Sequence, residues 1–167
     1  MEENHNISIK HVTLNVRGLR RNEKRQNIYH WIKSNNINIA FLQETYFTTD
    51  IEEKVNFDWK GYSKHCFSDS VHSRGVSILF DECAKVTIEN SYTSIDGRKL
   101  LINVVFNDQL ITVVNLYAPN KCNDRVAFLK KASKWIKSHM GNEHFLIIAG
   151  DMNCNQKCVK SYKAFCN

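Results

Sequence analysis

Residues 85–120 read KVTIENSYTSIDGRKLLINVVFNDQLITVVNLYAPN. Residues 85–95 alternate, with Val86, Ile88 and Tyr92 on one side. Asp96-Gly97 is a hairpin dipeptide. Residues 99–106 return as a strand, Asn107-Asp108 turns again, and residues 110–116 follow. Three consecutive antiparallel strands are more than an alternating α/β repeat supplies. A βαβ unit lies upstream. Its first strand is ISIKHVTLN at 7–15, with Ile7, Ile9 and His11 on one face. A helix over 23–35 follows, with Asn22 as N-cap, an apolar stripe of Ile28, Trp31 and Ile32, and Lys24, Arg25 and Lys33 toward water. The second strand is INIAFLQ at 37–43. Short joints of this kind predict a right-handed crossover and a parallel pair. Parallel and antiparallel strands in one chain require a mixed sheet, hence an α/β fold.

The rest of the chain fits that frame. A short helix is expected around 51–55, and strands at 62–67 and 75–80 flank a polar turn at 68–74. Residues 124–140 form a second helix, with Val126, Leu129, Ala132, Trp135 and Ile136 at helical spacing and Gly141 as the stop. FLIIA at 145–149 is unbroken and apolar, the pattern of a strand inside a sheet. The length of 167 residues suits one domain, and 43% hydrophobic with 24% charged residues excludes ordinary disorder. Net charge is +6, a mild bias toward polyanions. No apolar run approaches the roughly 20 residues of a membrane span. The N-terminus MEENHNISIK lacks signal-peptide character, so an intracellular location, nucleus or cytoplasm, is expected. Among six cysteines only Cys154 and Cys158 lie close, with no second pair or histidine beside them, so free thiols are expected rather than zinc.

Four strands that look buried finish on polar residues. The tips carry Asn15, Glu44, Tyr117, Asn120, Asp151 and Asn153. Asn and Asp also end strands merely by bonding nearby backbone. Glu44 and Asp151 are harder to set aside, because each follows an apolar run, where a bare carboxylate costs several kcal/mol. Ligands of α/β proteins gather beyond the carboxyl ends of strands. A set of carboxylates, amides and a phenol, without His or Cys, suits Mg2+ or Mn2+ and a phosphate substrate.

Six segments carry a family resemblance. LNVRGL (14–19), FLQET (41–45), RGVSILF (74–80), DGRKL (96–100), NLYAPN (115–120) and IIAGDMN (147–153) resemble, in order, those of the endonuclease/exonuclease/phosphatase superfamily. Within it the chain looks most like the endonuclease domain of LINE-type (non-LTR) retrotransposons. The resemblance covers residues 8–153 of a single incomplete domain and implies a two-sheet α/β sandwich with outer helices, its C-terminal strands missing. It implies Mg2+-dependent (Mn2+ as the alternative) phosphodiester hydrolysis of DNA. Glu44 and Asn15 would stand at the metal, Tyr117 and Asn153 at the phosphate, and Asp151 at the attacking water. Asn120 and Arg98 would contact substrate. Apart from the resemblance, the dense positive group Arg17, Arg20, Arg21, Lys24 and Arg25 after the first strand tip reads as a contact to DNA phosphates, with the solvated start of a helix as the alternative. A reverse transcriptase module would lie beyond this chain in the parent protein, and neither a membrane nor a small-molecule cofactor is implied. Met152 replaces the family's usual aromatic. The tail QKCVKSYKAFCN (156–167) has no match to the family's closing Ser-Asp-His-like motif, which implies impaired turnover. An abasic-site repair endonuclease or exonuclease, a phosphatase of the same fold, and an inactive remnant with weak DNA binding are the alternatives.

Overall fold

The structure is a computed structural model that describes residues 9–142 and 145–154. Two four-stranded sheets face each other. The first has strand order β1-β2-β4-β3, from β1 (His11–Asn15), β2 (Ile39–Gln43), β3 (Gly61–Cys66) and β4 (Val76–Asp81). The second has order β5-β6-β7-β8, from β5 (Thr87–Thr93), β6 (Lys99–Phe106), β7 (Gln109–Tyr117) and β8 (Phe145–Asp151). Each sheet is mixed. One parallel pair, β1 with β2 or β7 with β8, stands at its edge, and the other pairings are antiparallel. Helix α1 (Asn22–Ser34) joins the first parallel pair and α3 (Cys122–His139) joins the second. A short α2 (Glu52–Asp58) precedes β3.

The alternation of side chains along a strand decides what each layer buries. Along IAFLQ, Ile39 and Phe41 enter the space between the sheets, where Ile78, Phe80, Ile102, Val104 and Val113 meet them. Ala40 and Leu42 point the other way, into a core with Leu19, Tyr29, Ile32, Val55 and Trp59. The second sheet does likewise: Leu101, Val114 and Leu116 pack on Phe128, Leu129, Ala132 and Ile136 of α3. Both faces of β2 are therefore buried, which explains its unbroken apolar run. Each fully buried side chain of this size contributes roughly 1.5–3 kcal/mol.

Polar residues stitch the two sheets together. On β7, the Asn115 amide nitrogen donates to the carbonyls of Leu42 and Ser77, both at 2.9 Å. Those two residues are partners in the β2–β4 register. The Asn115 Oδ1 accepts from Gln43 Nε2 at 2.8 Å, and Gln43 reaches on to Thr13 of β1 at 3.1 Å.

Several expectations change. Residue 7 lies outside the described residues, and the first strand begins at His11. The expected cap Asn22 is the first residue of α1, and its side chain accepts from Arg25 instead. Arg25, expected in water, is fully buried, while Trp31, expected in the core, is 43% exposed. The cause is α2, whose Asp58 takes two nitrogens of Arg25, while the carbonyls of Leu19 and Arg20 take the third. Both expected turns form, the tight two-residue one at Asn107 and Asp108, both at positive φ, and a longer one over residues 94–98 around Asp96-Gly97. β8 stands at the edge of its sheet among the described residues, with Phe145 62% exposed, not inside it. Cys66, Cys83, Cys122 and Cys154 are free, and Cys158 lies outside the described residues.

Candidate active site

β1 and β8 lie against each other, and so do β2 and β7. Their carboxyl ends come out on one end of the sandwich. Asn15 closes β1, Glu44 follows β2, Tyr117 closes β7 and Asp151 closes β8. The Asn15 amide nitrogen donates to Glu44 Oε1 at 2.8 Å and to Asp151 Oδ2 at 2.9 Å. One –NH2 group thus bridges two carboxylates from different sheets. The Tyr117 hydroxyl donates to Glu44 Oε1 and the Tyr46 hydroxyl to Oε2, both at 2.8 Å. The backbone N–H of Asn153 donates to Asp151 Oδ1 at 3.0 Å, and its side-chain amide is turned to the Ala118 carbonyl at 2.6 Å.

The electrostatics follow from these contacts. Burial pushes the Glu44 carboxyl up, but the hydrogen bonds from Asn15, Tyr117 and Tyr46, with the charge of Arg17, outweigh it and hold the group below its ordinary value. Glu44 is therefore ionised at neutral pH. Burial, and then the Glu44 bond and charge, push the Tyr117 phenol up to about 12. It stays protonated and can donate to an anion. Behind it the Arg98 guanidinium sits 4.8 Å from the ring centroid and donates to the Tyr117 carbonyl at 3.0 Å.

The backbone is strained here. Arg17, Glu44, Tyr46, Arg74 and Asn153 all have positive φ. Most of these types adopt that region rarely, and such residues gather at functional sites. Gly18, at φ +88, leaves room for the Tyr46 ring: a Cβ there would lie 2.8 Å from Tyr46 Cδ2.

A cleft of about 740 Å³ opens beside this cluster, floored by Thr13 and Gln43 and walled by Asn15 and Asp151. A second groove of about 510 Å³ runs between the loop after β1 and residues 71–72, lined by Arg17, Arg20, Arg21, Lys24, Tyr46 and His72. The expected basic group is divided by the fold. Arg17 and Arg21 are exposed. Arg20 is tied to Asp50 at 2.7 Å, and Lys24 Nζ is held by the Val16 and Arg17 carbonyls at 2.6 and 3.1 Å. Arg25 is internal and is withdrawn from any substrate role. Asn120 is exposed on the loop after β7, and its carbonyl accepts from Arg125 at 2.7 Å.

Sequence reading missed Tyr46, and it saw Gln43 and Asn115 among the polar strand ends without giving them a role. Tyr46 follows the end of β2 in a stretch without alternation. The signal for Gln43 and Asn115 was present: two amides interrupt otherwise apolar strands one or two residues before Glu44 and Tyr117.

Among the described residues, no three His, Cys, Asp or Glu side chains converge on one point. The donor set is instead two carboxylates with amide and phenol oxygens. Mg2+ is commonly held by one or two carboxylates together with waters and substrate phosphate. Among the described residues, the hydrogen bonds to Glu44 come from neutral donors, with Arg17 acting on it by charge. The residues present fit a hard divalent cation.

Residues 12–159 match the model of the Endonuclease/Exonuclease/phosphatase family. The chain belongs to this family. The Transposon TX1 uncharacterized 149 kDa protein of Xenopus laevis is 28% identical over 143 residues, covering 84% of this family member and 11% of that protein. An AP endonuclease from Archaeoglobus fulgidus superposes with a TM-score of 0.70 at 21% identity, covering 95% of this chain and 68% of that one. D. rerio TDP2, in a structure complexed with single strand DNA product, superposes with a TM-score of 0.69 at 17% identity, over 93% and 64%. These structural likenesses are of fold. The chain thus spans about two thirds of the solved structures it resembles and about a tenth of the curated relative it matches.

Proposed function

We propose that this chain carries the strand-tip site of a divalent-metal-dependent DNA endonuclease of LINE type. The observation that carries the reading is the single Asn15 amide joining Glu44 and Asp151, with Tyr117 on the same Glu44 oxygen. The family match and the likeness to a transposon protein support it.

Phosphodiester hydrolysis adds water to phosphorus and breaks one P–O ester bond. Glu44 would hold Mg2+ or Mn2+, which would offset charge on the phosphate when bound, and Asn15 stands beside that position with its amide nitrogen orienting the two carboxylates. Asp151 is oriented from both sides, by Asn15 and by the Asn153 N–H, to accept the proton of the attacking water. Tyr117 keeps its proton and would turn it from Glu44 to the phosphate where negative charge grows. Arg98 stacks behind Tyr117 and fixes its ring. Arg17 and Arg21 hold backbone phosphates in the adjoining groove. Asn120, exposed on the loop after β7, would contact substrate. In the parent protein, the product 3′ hydroxyl would prime a reverse transcriptase module.

The test is plasmid nicking in magnesium by the chain beside Glu44→Ala and Asp151→Ala. Loss of nicking in both variants is expected. Nicking unchanged by either substitution overturns the assignment.

A further inference from the structure

Ile95 is fully exposed, at 104% of the reference for a free residue. A lone surface isoleucine is ordinary. This one differs in how it is held. It tops the turn between β5 and β6, and that turn is braced from within. The Ser94 hydroxyl donates to Asp96 Oδ1 at 2.5 Å and accepts from the N–H groups of Lys99 at 2.9 Å and Arg98 at 3.3 Å. The turn is also bolted to the neighbouring loop. Gly75 N–H donates to the Gly97 carbonyl at 3.1 Å, and Cys66 Sγ donates to the Ser94 carbonyl at 3.1 Å. A Cβ on Gly97 would lie 2.9 Å from the Phe67 carbonyl oxygen, so the turn rests flush on that loop. Ile95 therefore cannot fold down onto its own sheet.

The position is as telling as the rigidity. Three residues on, Arg98 stacks on Tyr117, so the turn stands at the same end as Glu44 and Asp151. Arg74 lies close enough to Arg98 for their charges to repel, burial being the larger influence on Arg98. Arg74 has an exposed partner in Asp69 at 3.8 Å and Arg98 feels Asp96, surface contacts that a phosphate can replace. An apolar tip on the turn that carries Arg98 matches duplex DNA, whose phosphates meet cations while an apolar side chain enters between base steps. One isoleucine beside Asp96 is too little apolar surface to anchor on a bilayer.

We propose that Ile95 is a wedge that enters duplex DNA next to the phosphate to be cut and partly unstacks the bases there. The inference rests on the DNA reading above and adds how the duplex is deformed.

The test uses the 167-residue chain, calcium in place of magnesium, and a short duplex with 2-aminopurine at its adenine positions. At saturating wild-type protein the 2-aminopurine should brighten. Ile95→Leu should keep the brightening and Ile95→Ala should lose it, with duplex affinity about fivefold weaker and single-strand affinity unchanged. Ile95 touches no core, so both variants fold. Equal brightening by Ile95→Ala and wild type overturns the wedge and leaves the DNA reading standing. Binding to phosphatidylserine vesicles in place of duplex overturns it in favour of a lipid surface. Failure of the wild type to bind any DNA overturns both proposals.

Discussion

Asn115→Leu should loosen the seam between the two sheets. Leucine is close to asparagine in size, so the change removes hydrogen bonds without opening a large hole. Three are lost: two donations to the paired carbonyls of Leu42 and Ser77, and one acceptance from Gln43. At about 1 kcal/mol net for each, the loss is about 3 kcal/mol. Gln43 Nε2 keeps the Phe41 carbonyl at 3.0 Å and Thr13 Oγ1 at 3.1 Å, so no buried donor is stranded on that side. For a chain of this size the midpoint of thermal unfolding should fall by roughly 6–12 °C. Urea unfolding should show a lower midpoint at unchanged slope. The double variant with Gln43→Leu should cost about 1 kcal/mol less than the separate losses combined, because both changes break one shared bond. A loss below about 0.5 kcal/mol for Asn115→Leu would show that the amides do not tie the sheets together, and the reasoning about that seam would fail.

Three further outcomes follow from buried and strand-tip groups. Asp58→Ala should cost about 3–5 kcal/mol in urea unfolding, since it strands the buried Arg25 guanidinium, and a surface-like loss near zero would return Arg25 to solvent. His65 is buried with Nε2 unpartnered and its pKa lowered to about 3, burial being the main cause. The unfolded chain, with an ordinary histidine near 6.5, binds more protons between those values, so stability should fall as pH drops below 6.5 and level off near 3. The share due to His65 is about 2 kcal/mol between pH 6.5 and 5, and His65→Phe should flatten the curve there; an unchanged slope refutes it. Tyr46→Phe removes one of the bonds that hold the Glu44 carboxyl down, so an NMR titration of that carboxyl should move upward, and a stationary value would exclude Tyr46 from the site.

What could be read from the residues was the layer pattern. IAFLQ and FLIIA are unbroken because each has apolar layers on two faces, and their polar ends mark where those layers stop. Faces are not edges, however. Ile147 and Ala149 pack against the inter-sheet core and Ile148 against the α3 layer, yet β8 has a neighbour on one side alone among the described residues. Periodicity also put Trp31 inside and Arg25 outside, because helical spacing records hydrophobicity and cannot anticipate an aspartate arriving from another helix. The hairpin signal of Asp96-Gly97 found its turn, but the tightest turn formed at Asn107-Asp108, whose types tolerate positive φ without glycine. The strand-tip residues were legible as a set. Tyr46 was not, since its place depends on the empty space above Gly18.

The distribution of left-handed residues has a consequence for how such a molecule changes over time. At the end away from the carboxylates, Asn36, Asn107, Asp108 and Lys85 occupy positive φ, and all but the lysine are types that accept it. At the other end Arg17, Glu44, Tyr46 and Arg74 hold it against their preference, each at a cost of the order of 1 kcal/mol. Asparagine at position 44 would relax the chain and erase the carboxylate in one step. Glutamate at φ 55 is thus a place where an easier backbone and a carboxylate at the strand tip cannot both be had.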